Sequence, residues 1–184
     1  PSSGKLGKAV LFGFVALRAY EGSDISINSY FVIFLTSEGV ATNVEASRLL
    51  SLALFIFMGG RFLGAWVMKF VHPTKVLFCC AVGSVACMCG VLFGGEISLY
   101  ALVLNFACEA IMFPTIFSLS LTGLDAQQKK RASSYMMMTP VGGCAFLLMG
   151  IIADNTSLVL PFFVPLAGFL IVLAFATYKM RKRN

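Results

Sequence analysis

Charge is scarce in this sequence: 12% of its 184 residues are Asp, Glu, Lys or Arg, against about 25% in water-soluble domains. That shortfall, with 59% hydrophobic residues and a mean hydropathy of +0.90, excludes the water-soluble classes and leaves an integral membrane protein. Histidine is scarcer still. The single one, His72, stands in a loop between apolar runs. Metal-dependent chemistry and histidine-assisted serine chemistry at membrane depth therefore lack their donor. We expect no enzyme and no cofactor. Metal spacing is lacking too. Cys79, Cys80, Cys87, Cys89, Cys108 and Cys144 all lie inside apolar runs without a ligand pattern, and read as small apolar filler. The formal charge of +6 would suit nucleic acid on a soluble face. Here its distribution follows the membrane spans, so no nucleic-acid partner is expected.

What is present in abundance is long apolar runs. The first, Phe12 to Leu35, is long enough to cross a bilayer, since about 20 residues at 1.5 Å each span a core of roughly 30 Å. It carries Arg18, Glu21, Asp24 and Asn28 in its middle. A charge at the centre of a membrane helix costs on the order of 2.5–3.5 kcal/mol on insertion scales. On a helix, Glu21, Asp24 and Asn28 fall in one sector of about 60°, with Arg18 on its edge. One face of this helix is thus polar at membrane depth, as expected of a wall along a water-accessible path.

Six spans can be read: about 8–35, 49–70, 75–93, 97–121, 132–153 and 158–178, forming one compact domain over 1–184. The residues Pro1–Lys8 are polar and run straight into a full-length span, so no cleavable signal is read there. Lys5, Lys8, Lys69, Lys75, Lys129, Lys130, Arg131 and the basic tail fall on one side. Glu38, Glu45, Glu96 and Asp154 fall on the other, with Arg48 the only basic residue nearby. The positive-inside rule then places both termini in the cytoplasm of a multi-pass protein in the plasma (inner) membrane. Glycines at Gly59, Gly60, Gly64, Gly142, Gly143 and Gly150 mark expected close helix crossings.

The fourth span repeats the theme of the first. Asn105 and Glu109 are four apart and share a face, which Met112 continues. Glu109 is either a protonatable carboxyl facing a cavity or a permanently neutral structural one. Glu21 either lines the path or serves as a structural partner of Arg18. Pro114 follows Phe113 in the fourth span, and Pro140 precedes Gly142 and Gly143 in the fifth. Prolines inside membrane helices free a carbonyl one turn back and mark either a hinge or a packing kink. Arg61 snorkels to the interface, or pairs with a carboxylate of a neighbouring helix as a gate or a static anchor.

Three stretches carry a family resemblance. They are Tyr20-Glu21-Gly22-Ser23-Asp24-Ile25-Ser26-Ile27-Asn28-Ser29-Tyr30-Phe31, Gly60-Arg61-Phe62-Leu63-Gly64-Ala65-Trp66 and Ile111-Met112-Phe113-Pro114-Thr115-Ile116-Phe117-Ser118-Leu119. They resemble the seventh, eighth and tenth helices of the fucose–galactose–glucose:proton symporter family, in the major facilitator superfamily. Ser133-Ser134, Met138-Thr139, Gly142-Gly143, Met149-Gly150 and Asp154 follow its eleventh. The resemblance implies an all-α six-transmembrane-helix bundle, the carboxy-terminal half of a twelve-helix transporter built from inverted three-helix repeats. It also implies a missing amino-terminal six-helix half as partner, beside the lipid bilayer, a small-molecule sugar and a proton. In that fold the first and fourth helices of each half line the cavity, here the spans of Asp24 and Glu109. The sequence departs from the family pattern by being more acidic there: Glu109 stands where Asn is common, and Glu21 where Val is.

The expected function is secondary active transport, a proton-coupled symport of a monosaccharide by alternating access. The expected substrate or proton contacts are Asp24, Glu109, Glu21, Asn28, Asn105, Met112 and Phe113, the last as a stacking face. Arg18, Arg61, Pro114, Pro140, Gly142 and Gly143 are expected in gating or structural roles. The alternatives are a stand-alone six-helix membrane module without transport activity and a carrier of a non-sugar solute.

Overall fold

The computed structural model describes residues 3–138 and 142–182, and every regular element among them is helical. The helices are α1 (Ser3–Ser37), α2 (Asn43–Val67), α3 (Pro73–Leu92), α4 (Glu96–Ser120), α5 (Ala126–Met138), α6 (Gly142–Asn155) and α7 (Phe163–Arg181). A 3₁₀ turn, Leu160–Phe162, leads into α7. The helix α2, α3, α4 and the stretch Leu160–Arg181 are each long and apolar enough to cross a membrane. Helix α1 is 35 residues long, but its charged middle dilutes its apolar character.

Local chemistry sets the helix starts. The Thr42 hydroxyl accepts from the Glu45 amide while the Glu45 carboxylate accepts from the Thr42 amide, a reciprocal cap. This cap starts α2 at Asn43, ahead of the apolar run from which the second span was read. His72 caps α3 by accepting from the Thr74 amide, and Pro73 occupies the first turn, where its missing N–H costs nothing. Between α3 and α4 the chain turns at Gly94 (φ 75°) and Gly95 (φ 70°), a backbone region open to glycine at little cost. The fifth expected span, about 132–153, corresponds to α5 and α6. Pro140 lies outside the described residues, and Gly142 and Gly143 open α6.

Packing has an internal symmetry. Helix α4 packs against α3, α2 and α1; helix α1 packs against α7, α6 and α4; and α3 packs against α7. Exchanging the first three spans for the last three turns the α1–α7 contact into α4–α3 and the α1–α6 contact into α4–α2. That is the pattern of two repeated three-helix units. The axis of the bundle is the α1–α4 crossing, where Tyr20, Phe31, Phe106 and Met112 are buried. Phe31 and Phe106 meet edge to face across it, with ring centroids 5.8 Å apart.

The α2–α4 crossing depends on Gly60. A Cβ there would lie 2.8 Å from the Cβ of Ala110, so only a residue without one lets the backbones approach this closely. Gly64, one turn on, faces Ile111 in the same way. Gly59 and Gly150 do not serve the crossings expected of them: a Cβ at either would meet nothing within 4 Å. Glycine adjacency in sequence says nothing about which of two neighbours points inward.

Candidate functional site

The polar residues of α1 and α4 meet where these helices cross. On α1, Asp24 is half-buried, and Asn28, one turn later, donates to its main-chain oxygen at 2.9 Å and to its carboxylate at 3.1 Å. On α4, Asn105, Glu109 and Met112 are all fully buried. The Glu109 carboxyl adjoins Asp24 and Asn105, yet neither of its oxygens is aligned into a hydrogen bond. The Asn105 amide is likewise unpartnered. In native interiors the large majority of buried polar side chains are satisfied. Here two stand one turn apart without partners.

A residue not singled out in the sequence braces the pair. The Tyr20 hydroxyl donates to the main-chain oxygen of Glu109 at 3.1 Å, and its ring lies 6.2 Å from that of Phe113. Tyr20 precedes Asp24 by four, so the same one-turn spacing that joined Asn105 to Glu109 could have placed it on this face. Phe113 is half-buried and stacks on Phe117 at an interplanar angle of 7°. Pro114, the next residue, is exposed, and α4 runs through it without a break. The Thr115 hydroxyl donates to the Ile111 carbonyl, one turn back, at 2.6 Å.

Two readings left open in the sequence take a definite geometry. Arg18 and Glu21 form an ion pair one turn apart on α1, and the Arg18 guanidinium also lies 5.1 Å from the Phe14 ring centre. Arg61, on α2, is exposed. Its guanidinium sits 4.6 Å over the Phe57 ring, and its charge reaches Asp24. The arrangement is therefore layered. Asp24, Asn28, Glu21 and Arg61 have exposed surface, while Glu109, Asn105 and Met112 lie behind them with none. A cleft of about 460 Å³ lies elsewhere, between the first turns of α1 and helix α5, lined by Val10, Phe14, Gln128, Arg131, Tyr135 and Met136.

No protein-family model matches the chain. Curated relatives do. A putative glucose/galactose transporter of Helicobacter pylori is 31% identical over 189 residues, covering 96% of this chain and 46% of the relative. The L-fucose-proton symporter of Escherichia coli is 31% identical over 170 residues, covering 90% and 38%. A glucose/galactose transporter of Brucella abortus is 30% identical over 161 residues, covering 85% and 39%. A crystal structure of the major facilitator superfamily transporter FucP, in its outward conformation, superposes with a TM-score of 0.88. That match is at 30% identity and covers 93% of this chain and 42% of FucP. The chain spans less than half the length of the relatives it matches. The all-helical build, the exchangeable three-helix units and these agreements in sequence and structure give one conclusion: this multi-pass membrane chain belongs to the major facilitator superfamily, and over most of its length it is similar to transporters of that superfamily described as glucose/galactose transporters and L-fucose-proton symporters.

Proposed function

We propose that this chain is the carboxy-terminal half of a secondary transporter that carries a monosaccharide of the fucose, galactose or glucose type together with a proton. The observation that supports this most is the layered acid pair at the α1–α4 crossing. Asp24 and Asn28 offer an acceptor and an amide at the open side, and Glu109 stands behind with its carboxyl unpartnered. Sugar hydroxyls need such mixed donors and acceptors, and the half-buried Phe113 supplies an apolar ring for the sugar's apolar face. In transporters built from repeats the solute site lies near the bilayer midplane at an interface. A single half then offers one wall of a cavity rather than a closed pocket.

The missing wall would be an amino-terminal six-helix half. Helix α2 is suited to meet it or lipid: Phe55, Phe62, Leu63 and Trp66 are all more than half exposed. Most of the basic residues of the chain fall in the loops and tails of one side, which by the positive-inside rule would put both termini on the cytoplasmic side of the inner membrane. A proton bound to one carboxyl biases inward-open against outward-open states only by its differential affinity for the two.

The test is uptake by the full-length protein in proteoliposomes, with L-fucose, D-galactose and D-glucose as competitors. Asp24→Asn is expected to abolish accumulation, and Glu109→Gln to abolish its dependence on an imposed pH gradient. Accumulation and pH dependence that survive both substitutions would overturn the assignment.

A further inference from the structure

Solute binding at the open side does not itself explain how a proton reaches the concealed carboxyl. Glu109 has no exposed surface, and its carboxyl oxygens, though they adjoin Asp24 and Asn105, are not aligned into a hydrogen bond; the Asn105 amide, on the same face, is buried and unaligned in the same way. The titratable groups near Glu109 come from α1, α3 and α4. From α1 come Asp24 and Tyr20, whose hydroxyl is committed to the Glu109 main chain; Glu21, on the same helix, is paired with Arg18. On α2, Arg61 is exposed and seated over Phe57, with its charge reaching Asp24. From α3 comes Cys87, and Cys108 adjoins on α4 itself. Among the described residues no cation is bonded to Glu109. An ionised carboxylate buried without a counter-ion costs far more than the neutral acid. Asp24 differs from Glu109 in having exposed surface and the Asn28 amide donating to its carboxylate, so this packing tolerates a negative charge better on Asp24 than on Glu109.

Building on the transport reading, we propose that Asp24 and Glu109 hold one proton between them and that Glu109 is its storage position, reached only through Asp24. A proton from the open side binds Asp24. The Asp24 O–H then breaks as an O–H forms on Glu109, and the negative charge moves from Glu109 to Asp24. Asp24 returns to the anion and can accept hydrogen bonds from solute hydroxyls, while Glu109 no longer carries a second negative charge behind it. Loading the proton thereby changes the field at the solute contact without occupying it, which is a coupling between two sites rather than competition for one. Tyr20 is a positioning residue in this scheme, holding the Glu109 backbone against α1.

The test is made on the full-length protein in lipid vesicles. Dicyclohexylcarbodiimide, an apolar reagent that attacks protonated carboxyls, is expected to label Glu109, with labelling falling as pH is raised. Peptide mass mapping locates the adduct. In infrared spectra at neutral pH, the wild type is expected to show a protonated-acid carbonyl band that Glu109→Gln removes and Glu21→Gln leaves. Failure to label Glu109 while other carboxyls react would overturn the proposal, as would an unchanged band in Glu109→Gln. Protection of Glu109 by sodium ions at constant pH would also overturn it, by making the pair a metal-cation site. Both measurements are independent of sugar. A protein labelled at Glu109 that transports none of the three sugars would leave the stored proton standing and overturn the sugar-symport reading instead.

Discussion

Helices α2 and α4 are each 25 residues long, and each is apolar enough to span a membrane; yet in its most apolar stretch α4 is 50% buried and α2 only 11%. Both also carry an ionisable residue well inside the span, Arg61 on α2 and Glu109 on α4. One of these is exposed and the other sealed. Apolar length therefore identifies a helix that lies in a membrane without saying what it faces there. In lipid, water does not drive helices together, so burial follows close packing and polar contacts instead. Helix α4 obtains these from three neighbours, and α2 chiefly from one tight crossing.

Core truncation should separate the two helices most. Phe106→Ala on α4 empties a fully buried ring site. Its cost should approach the about 3–5 kcal/mol seen in water-soluble cores, reduced because the lipid-exposed reference recovers the transfer part. Phe55→Ala on α2, 67% exposed, should change stability by less than about 0.5 kcal/mol. Thermal denaturation in detergent micelles compares them directly, and equal losses would abolish the distinction drawn here.

A tight glycine contact between the helices gives the next effect. Gly60→Leu should cost about 1–3 kcal/mol through overpacking against Ala110. Gly59→Leu, one residue away with open space around it, should be close to neutral. A smaller loss, about 1 kcal/mol, is expected for Tyr20→Phe, which leaves the ring against Phe113 and removes only the hydroxyl bond to Glu109. Its signature is a transport rate that falls more than the melting temperature does. Thr42→Ala should also cost about 1 kcal/mol, by removing the cap of α2. That loss should fray the first turn of α2 and leave α4 unaffected, which amide hydrogen exchange resolves helix by helix.

The spacing of Asp24 and Asn28 and of Asn105 and Glu109 was enough to put each pair on one helix face, because a helix turns a fixed amount per residue. The ion pair of Arg18 with Glu21 was one of two open readings, since a three-residue spacing permits it without requiring it. Other features had no local signal. That Tyr20 reaches the backbone of a residue 89 positions away depends on how two helices cross. Gly60 and Gly59 look alike in the chain and differ only because Ala110 lies beside one of them.

By itself the sequence determined the membrane class, the apolar runs, the polar faces of α1 and α4 and the family likeness, all of which follow from composition, helical periodicity and short stretches of residue identity. Only the tertiary structure decided that Asp24 stands at the open side and Glu109 behind it. Periodicity assigns residues to a face, but what the face meets is set by helices far away in the chain, whose approach is limited by the side chains at their crossings.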